Sequence, residues 1–242
     1  MSNKHWDSLE HLIIVACHAV YVAEYFTDPL SDSSWFLQDF QKSEPPFYVE
    51  HIRRGVELAD DDKKALLVFS GGQTRYEAGP KSEAQSYWMI ADHFKWWFKI
   101  NVKLRATTEE FARDSFENLL FSICRFKECV GKYPKQIIVV SWAFKKKRFE
   151  LHREAVRFPK YKFVFEGVNN PVDLEGAIKG EEKNGIGPFS KDPYGCTEPL
   201  ASKRKKRNPF NRQHGYLTSC PELDGLLRHC GSEIYKENLP WD

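Results

Sequence analysis

Residues 65–75 read Ala65-Leu66-Leu67-Val68-Phe69-Ser70-Gly71-Gly72-Gln73-Thr74-Arg75. Five apolar residues in a row, without alternation, predict a strand buried on both faces. The polar turn with two glycines predicts a strand end where backbone and ligand approach closely. Outward along the chain the pattern recurs. Leu12–Ala16 runs into Cys17-His18-Ala19, and Gln136–Val140 runs into Ser141-Trp142-Ala143-Phe144-Lys145. Asn101–Leu104, leading to Thr107-Thr108-Glu109-Glu110, and Tyr161–Phe165 complete five expected strands.

Helical spacing fills the intervals. Residues 82–98 place Ala84, Tyr87, Trp88, Ala91, Phe94 and Phe98 on one face. Thr108 reads as the N-cap of a helix opening near Phe111 and stopped by Gly131 and Pro134. Residues 145–158 predict another helix, closed by Pro159, and residues 19–62 predict helices broken at Pro45-Pro46. Strand–helix alternation implies an α/β fold with a mainly parallel five-stranded sheet and right-handed crossovers. The long helix after the third strand must cross the sheet to reach the fourth. That sets the switch point, where ligands bind, between the first and fourth strands. Residues 167–215, rich in Gly, Pro, Asn and Lys, read as a long ordered loop or lid, with a disordered tail as the rival. A short terminal helix is expected over 221–228.

The 242 residues carry 36 Lys and Arg against 34 Asp and Glu, a net charge of +2. This excludes a uniformly cationic nucleic-acid coat, so nucleic acid is not the expected partner. The apolar run Leu12–Cys17 falls far short of the roughly 20 residues that span a bilayer. No secretory signal is visible, so the expectation is a cytoplasmic protein without membrane association. The six cysteines form no C-x-x-C pair and read as reduced thiols. Cys220, His229 and Cys230 are the one set with a conceivable zinc spacing.

The candidate site residues follow the strands. Backbone amides at Gly71, Gly72 and Gln73, with the charge of Arg75, would hold an anion; a tight strand exit explains the glycines equally well. Ser82 and Glu83 fit either a site or a helix cap. Glu110, Arg113, Asp114, Ser115, Glu117 and Asn118 crowd the start of the expected helix. Glu110, Asp114 and Glu117 or Asn118 would share one face, which is either a solvated face or supplies a half-buried carboxylate as general base. Lys145 to Arg148 open a helix, where cations either suit an anion facing the N-terminus or are simply solvated. His152 lies one turn beyond Arg148 and either joins it or packs. His18 follows a buried strand and is either functional or a satisfied core histidine. Lys203 to Arg207 resemble a nuclear import signal; alternatively Arg204 and Arg207 reach the ligand from the lid.

These residues, in this order, resemble the DUF218 family. Its pattern is a small-residue first turn, Ser-Gly-Gly, Ser-Glu-Ala, then Glu-x-x-Ser-x-x-Thr-x-Glu-Asn, and finally Thr-Ser-x-x-His-x-x-Arg. Ser70-Gly71-Gly72 and Ser82-Glu83-Ala84 match the second and third elements. Glu110, Ser115, Glu117 and Asn118 are matched to the fourth, with Ala112 for its serine and Ser115 for its threonine. Ser141 and Arg148 are matched to the last, with Lys145 in place of histidine. Cys17-His18-Ala19 replaces a glycine-rich turn. The resemblance covers roughly residues 10–170 and implies a Rossmann-like three-layer sandwich in 1–170. Residues 171–242 look like the C-terminal extension of a eukaryotic, fungal branch, packing on the same domain. The resemblance also associates the family with enzyme activity and with S-adenosylmethionine.

The functional expectation is an enzyme, a hydrolase or transferase, acting on a small phosphorylated or nucleotide-like anion. Glu110 or Glu117 would be the acid/base, with Ser115 and Asn118 orienting. A non-catalytic nucleotide or S-adenosylmethionine module is the alternative, although no G-x-G-x-x-G is present. A divalent metal is conceivable, but no ligand spacing identifies one.

Overall fold

The computed structural model describes residues 6–23 and 28–242. Five strands form one parallel sheet: β1 (His11–Ala16), β2 (Ala65–Ser70), β3 (Ala106–Glu109), β4 (Gln136–Ser141) and β5 (Phe163–Gly167). Their order is β3-β2-β1-β4-β5, all parallel. β1 is central, with Ile13 level with Leu67 on one side and Ile138 on the other. Its apolar run is continuous because both faces are covered. Ile13 and Val15 join one core with helices α1 (Pro45–Asp61) and α2 (Glu83–His93). Leu12 and Ile14 join a second core with α3 (Ser115–Val130) and α4 (Lys146–Ala155). The result is a three-layer Rossmann-like α/β sandwich. Its strand order reverses between β1 and β4, where the alternation placed the switch point.

Several expectations need correction. Pro45 and Pro46 do not break a helix; they open α1 at its first turn, where the missing N–H costs nothing. Residues Ile100–Lys103 are a helical turn, and the third strand is Ala106–Glu109 instead. As an edge strand it is half covered, so it lacks the apolar run that marks the others. β5 lies two residues later than expected. α2 stops at His93 because Lys95 to Phe98 all take positive φ. That left-handed turn costs about 1–2 kcal/mol per residue. The buried Trp96 offsets part of it, packing on Phe69 and Trp88 and donating from Nε1 to Asp92 at 2.9 Å. α3 is capped by Asp114, not Thr108, and ends at Gly131 in the left-handed region as expected.

The segment after β5 is not a loop. It forms α5 (Leu174–Glu181), a π turn (Glu182–Ile186), a helical turn (Gly187–Lys191) and α6 (Leu200–Lys206), then short turns including Asp224–Arg228. Phe189, Tyr194, Leu200, Tyr216, Leu223, Leu226, Leu239 and Trp241 join the core of the α3 face. Tyr194 donates to the Ala155 carbonyl at 2.9 Å and Trp241 Nε1 to that of Val156 at 3.0 Å, which satisfies their polar ends. Cys196 and Cys230 form a disulfide, correcting the reading of all six as thiols and removing Cys230 from any zinc set. Among the described residues no group of three His, Cys, Asp or Glu is placed to hold a metal. No described helix is long and apolar enough to cross a membrane.

Candidate functional site

A cleft of about 690 Å³ opens at the carboxyl ends of β1, β2 and β4. Residues 38–44 wall it on the β1–β2 side, and α5 with the ends of α6 closes it on the β4 side. Of the expected site residues, His18, Arg75, Glu83, Arg113, Asp114, Ser115, Asn118, Ser141, Lys145, Arg148 and Arg207 line it. Most sit there because a strand ends or a helix begins beside them; Arg207 follows the end of α6.

Lys145 stands at the exit of β4, its Nζ 3.4 Å from His18 Nδ1; His18 Nε2 is 3.5 Å from Ser141 Oγ. Burial, with Arg148 close by, pushes Lys145 down to about 7. Burial and then the Lys145 charge hold His18 well below the usual histidine range, so its imidazole is neutral. Arg148 is buried and pairs with Glu181 at 2.9 Å. Lys146 and Lys147 are exposed, so only the first and last members of this basic run, Lys145 and Arg148, face the cleft. Arg75 donates to Gln38 Oε1 at 2.9 Å, and Arg207 donates to the Arg113 carbonyl at 3.0 Å. Lys203 also lines the cleft and is pushed down to about 8 by burial, then by Arg207 and Arg148. Arg75, Lys145, Lys203 and Arg207 form no ion pair among the described residues. Like charges held together without counterions are unfavourable in the empty protein and favourable once an anion binds.

A pH dependence follows. Lys145 and Lys203 carry full charge below about 7 and 8 respectively and lose it as pH rises. Sulfate keeps a constant charge across this range. Its affinity is expected to fall about tenfold or more from pH 6 to pH 9, one unit of titration being a factor of ten. Calorimetric titration at both pH values checks this; equal affinities would sink it.

Other expected residues have structural tasks. Gly71 N and Gly72 N donate to the carbonyls of Glu109 (3.0 Å) and Ala112 (2.8 Å), so they do not offer an anion cradle. A Cβ at Gly71 would lie 2.8 Å from Glu83 Cβ, and one at Gly72 would lie 2.7 Å from the Ala112 carbonyl oxygen. The glycines therefore let α2 and the β3 exit pack against β2. The Gln73 side chain donates to the Pro80 carbonyl at 2.9 Å. Ser82 caps α2, accepting from Gln85 N at 2.9 Å. Glu83 accepts from Thr74 Oγ1 at 2.5 Å.

The carboxylates expected as base are consumed. Glu110 precedes α3, outside the cleft, where it accepts from Thr108 Oγ1 and lies 3.7 Å from Arg212. It shares no helix face with Asp114. Glu117 is buried and takes two bonds of 2.8 Å from Arg113, at its N and Nε. Asp114 accepts from Arg204 Nε at 2.6 Å; burial raises its pKa, but the Arg204 charge wins and holds it far below the usual aspartate range. Arg204 thus points inward, away from any ligand. Asn118 Nδ2 donates to the Ser70 carbonyl at 2.9 Å, fixing the end of β2. Ser115 Oγ is 2.8 Å from His152 Nε2. His152 is fully buried among Phe116, Phe149 and Phe189, outside the cleft, and burial holds it well below its usual range. It packs and does not join Arg148 at the ligand.

Two residues escaped the sequence reading. Lys203, not Arg204, is the lid cation that faces the cleft beside Arg207. Glu109 is the buried carboxylate: it accepts from Ser70 Oγ (2.9 Å), Phe111 N (2.8 Å), Ala112 N (3.2 Å) and Tyr216 O–H (3.1 Å). Burial pushes it up to about 7. Counting back from Ser115 along the motif quoted above reaches Glu109, not Glu110, so the spacing itself held the signal. The same count from Ser141 puts the motif's histidine at Phe144, which lines the cleft, rather than at Lys145.

No family model matches the chain, and no solved structure matches it. The uncharacterized protein YOR238W of Saccharomyces cerevisiae is 30% identical over an alignment of 268 positions, covering 87% of this chain and 87% of that one. The chain belongs to the family of that yeast protein.

Proposed function

We propose that this protein binds a small phosphorylated anion in the cleft between the ends of β1 and β4, and acts on it as a hydrolase or transferase. One observation carries the reading: Arg75, Lys145, Lys203 and Arg207 converge there without carboxylate partners. Positioning and charge stabilisation supply most of the catalysis of phosphoryl transfer. His18, neutral and 3.4 Å from a lysine that titrates near 7, is the group suited to move a proton. It replaces the carboxylates expected in that role. The DUF218 resemblance fits this reading. S-adenosylmethionine fits it poorly, since its sulfonium would face four cations. Lys203 and Arg207 turn toward the cleft and Arg204 inward, which favours a lid over an import signal and leaves the cytoplasm as the proposed location.

The capture of Glu117 and Asp114 by arginines favours a second reading, a binding module without catalysis. One experiment separates them. Tripolyphosphate is expected to raise the thermal midpoint, and phosphate release from a panel of organic phosphates is expected to be lost in His18→Ala while tripolyphosphate binding survives. Binding without turnover on any phosphate would leave the module; absence of binding would sink both.

A further inference from the structure

Arg75 and Lys145 face the cleft from strand exits, and Lys203 and Arg207 from the extension; a different chemistry lies where the lining is exposed. Phe40 lines the cleft yet is 74% exposed, and Val172, also a lining residue, is 79% exposed. Leaving such side chains in water is unfavourable relative to burying them. Other exposed apolar residues, Phe98 among them, do not line the cleft. These two belong to the two walls. Phe40 sits in the turn Asp39–Gln41, tied to the β1–β2 side by Gln41 Nε2 donating to the His18 carbonyl at 2.9 Å and by the Arg75–Gln38 bond. Val172, next to Pro171, precedes α5, which packs on Ala143–Lys145 at the β4 exit. Phe144 lines the cleft from that same exit.

The size also exceeds that of an inorganic anion. About 690 Å³ lies within the range of sites that enclose a drug-sized ligand. Arg75, Lys145, Lys203 and Arg207 face three lining carboxylates that have no cationic partner among the described residues, Glu44, Glu83 and Asp173. Glu44 contributes less than a full charge, since burial raises its pKa.

We infer that the ligand is a nucleoside polyphosphate, its phosphates on Arg75, Lys145, Lys203 and Arg207 and its base at the mouth, against Phe40 on one wall and Pro171–Val172 on the other. This rests on the anion reading above and names the ligand of that site. An aromatic side chain is a sequence-tolerant platform for a base, worth roughly a tenfold or larger change in affinity on truncation to alanine.

Calorimetric titration with ATP and with tripolyphosphate tests it. The wild type is expected to bind ATP about tenfold more tightly than tripolyphosphate. Phe40→Ala is expected to remove that excess and leave tripolyphosphate affinity unchanged; Phe40→Trp is expected to keep it. The site of substitution is exposed, so the variant should fold, and its thermal midpoint is the control. Equal wild-type affinities for the two probes, or a loss in Phe40→Ala shared by both, would overturn the inference while leaving the anion site standing. Failure of both probes to bind would overturn the anion reading, and this inference with it.

Discussion

Asp114→Ala is expected to lower the thermal midpoint by roughly 10 °C or more, whether or not ligand is present. Oδ1 of Asp114 accepts from Glu117 N at 2.9 Å and caps α3, while Oδ2 holds Arg204. Arg204 in turn donates to the Tyr194 carbonyl at 2.6 Å and lies over the Phe116 ring, so this ion pair anchors the C-terminal extension to the sheet. Removing one member of a buried pair costs about 3–5 kcal/mol, and losing a cap about 1 kcal/mol. In a domain of this size each kcal/mol is about 2–4 °C. The pH dependence has a definite sign. The aspartate's pKa is depressed in the fold, so its contribution is present above the ordinary aspartate range and is lost as pH falls below about 4. Thermal melts of wild type and variant should therefore converge toward acid pH. A variant that melts normally but loses ligand would return Asp114 to the ligand-binding role the sequence suggested.

Lys145→Met is expected to do the opposite: weaken anion binding about a hundredfold and raise the melting temperature. Truncating one side of a desolvated charge contact costs about 2–5 kcal/mol in affinity. In the empty protein the ammonium is held among Arg148 and Arg207 without a carboxylate partner, so methionine, of similar length, relieves repulsion and desolvation. The linkage gives a second reading. Lys145 titrates at about 7 in the fold and near 10.4 in the unfolded chain. The unfolded chain therefore binds more protons between those values, and wild-type stability rises with pH across that window. The variant should lack this rise. Gain of stability with loss of binding marks a residue kept for function; loss of both would make Lys145 structural.

What the sequence could reveal tracks the strength of each local signal. β1, β2 and β4 are covered on both faces, so their apolar runs identified them and the switch point between β1 and β4. β3 is an edge strand of Ala, Thr, Thr and Glu, with no such run, and the apolar Asn101–Leu104 nearby drew the assignment away. That displaced the helix start from Ser115 to Phe111 and made Glu110 look helical. His18, Arg75, Lys145 and Arg148 were legible because strand exits deliver them to one place. Lys203 against Arg204 was not, because which side of a seven-residue helix faces the cleft depends on where Asp114 docks it. The two glycines were correctly marked as a close approach, but of one chain segment to another. The extension's helices, of four to eight residues, are too short to show a period.

The most direct test of the central claim is a crystal structure of the full chain grown or soaked with tripolyphosphate. Density is expected at the ends of β1, β2 and β4, within hydrogen-bonding distance of Lys145, Arg75 and Arg207. Density instead on solvated cations such as Lys205 and Lys206, with the cleft holding water alone, would contradict it.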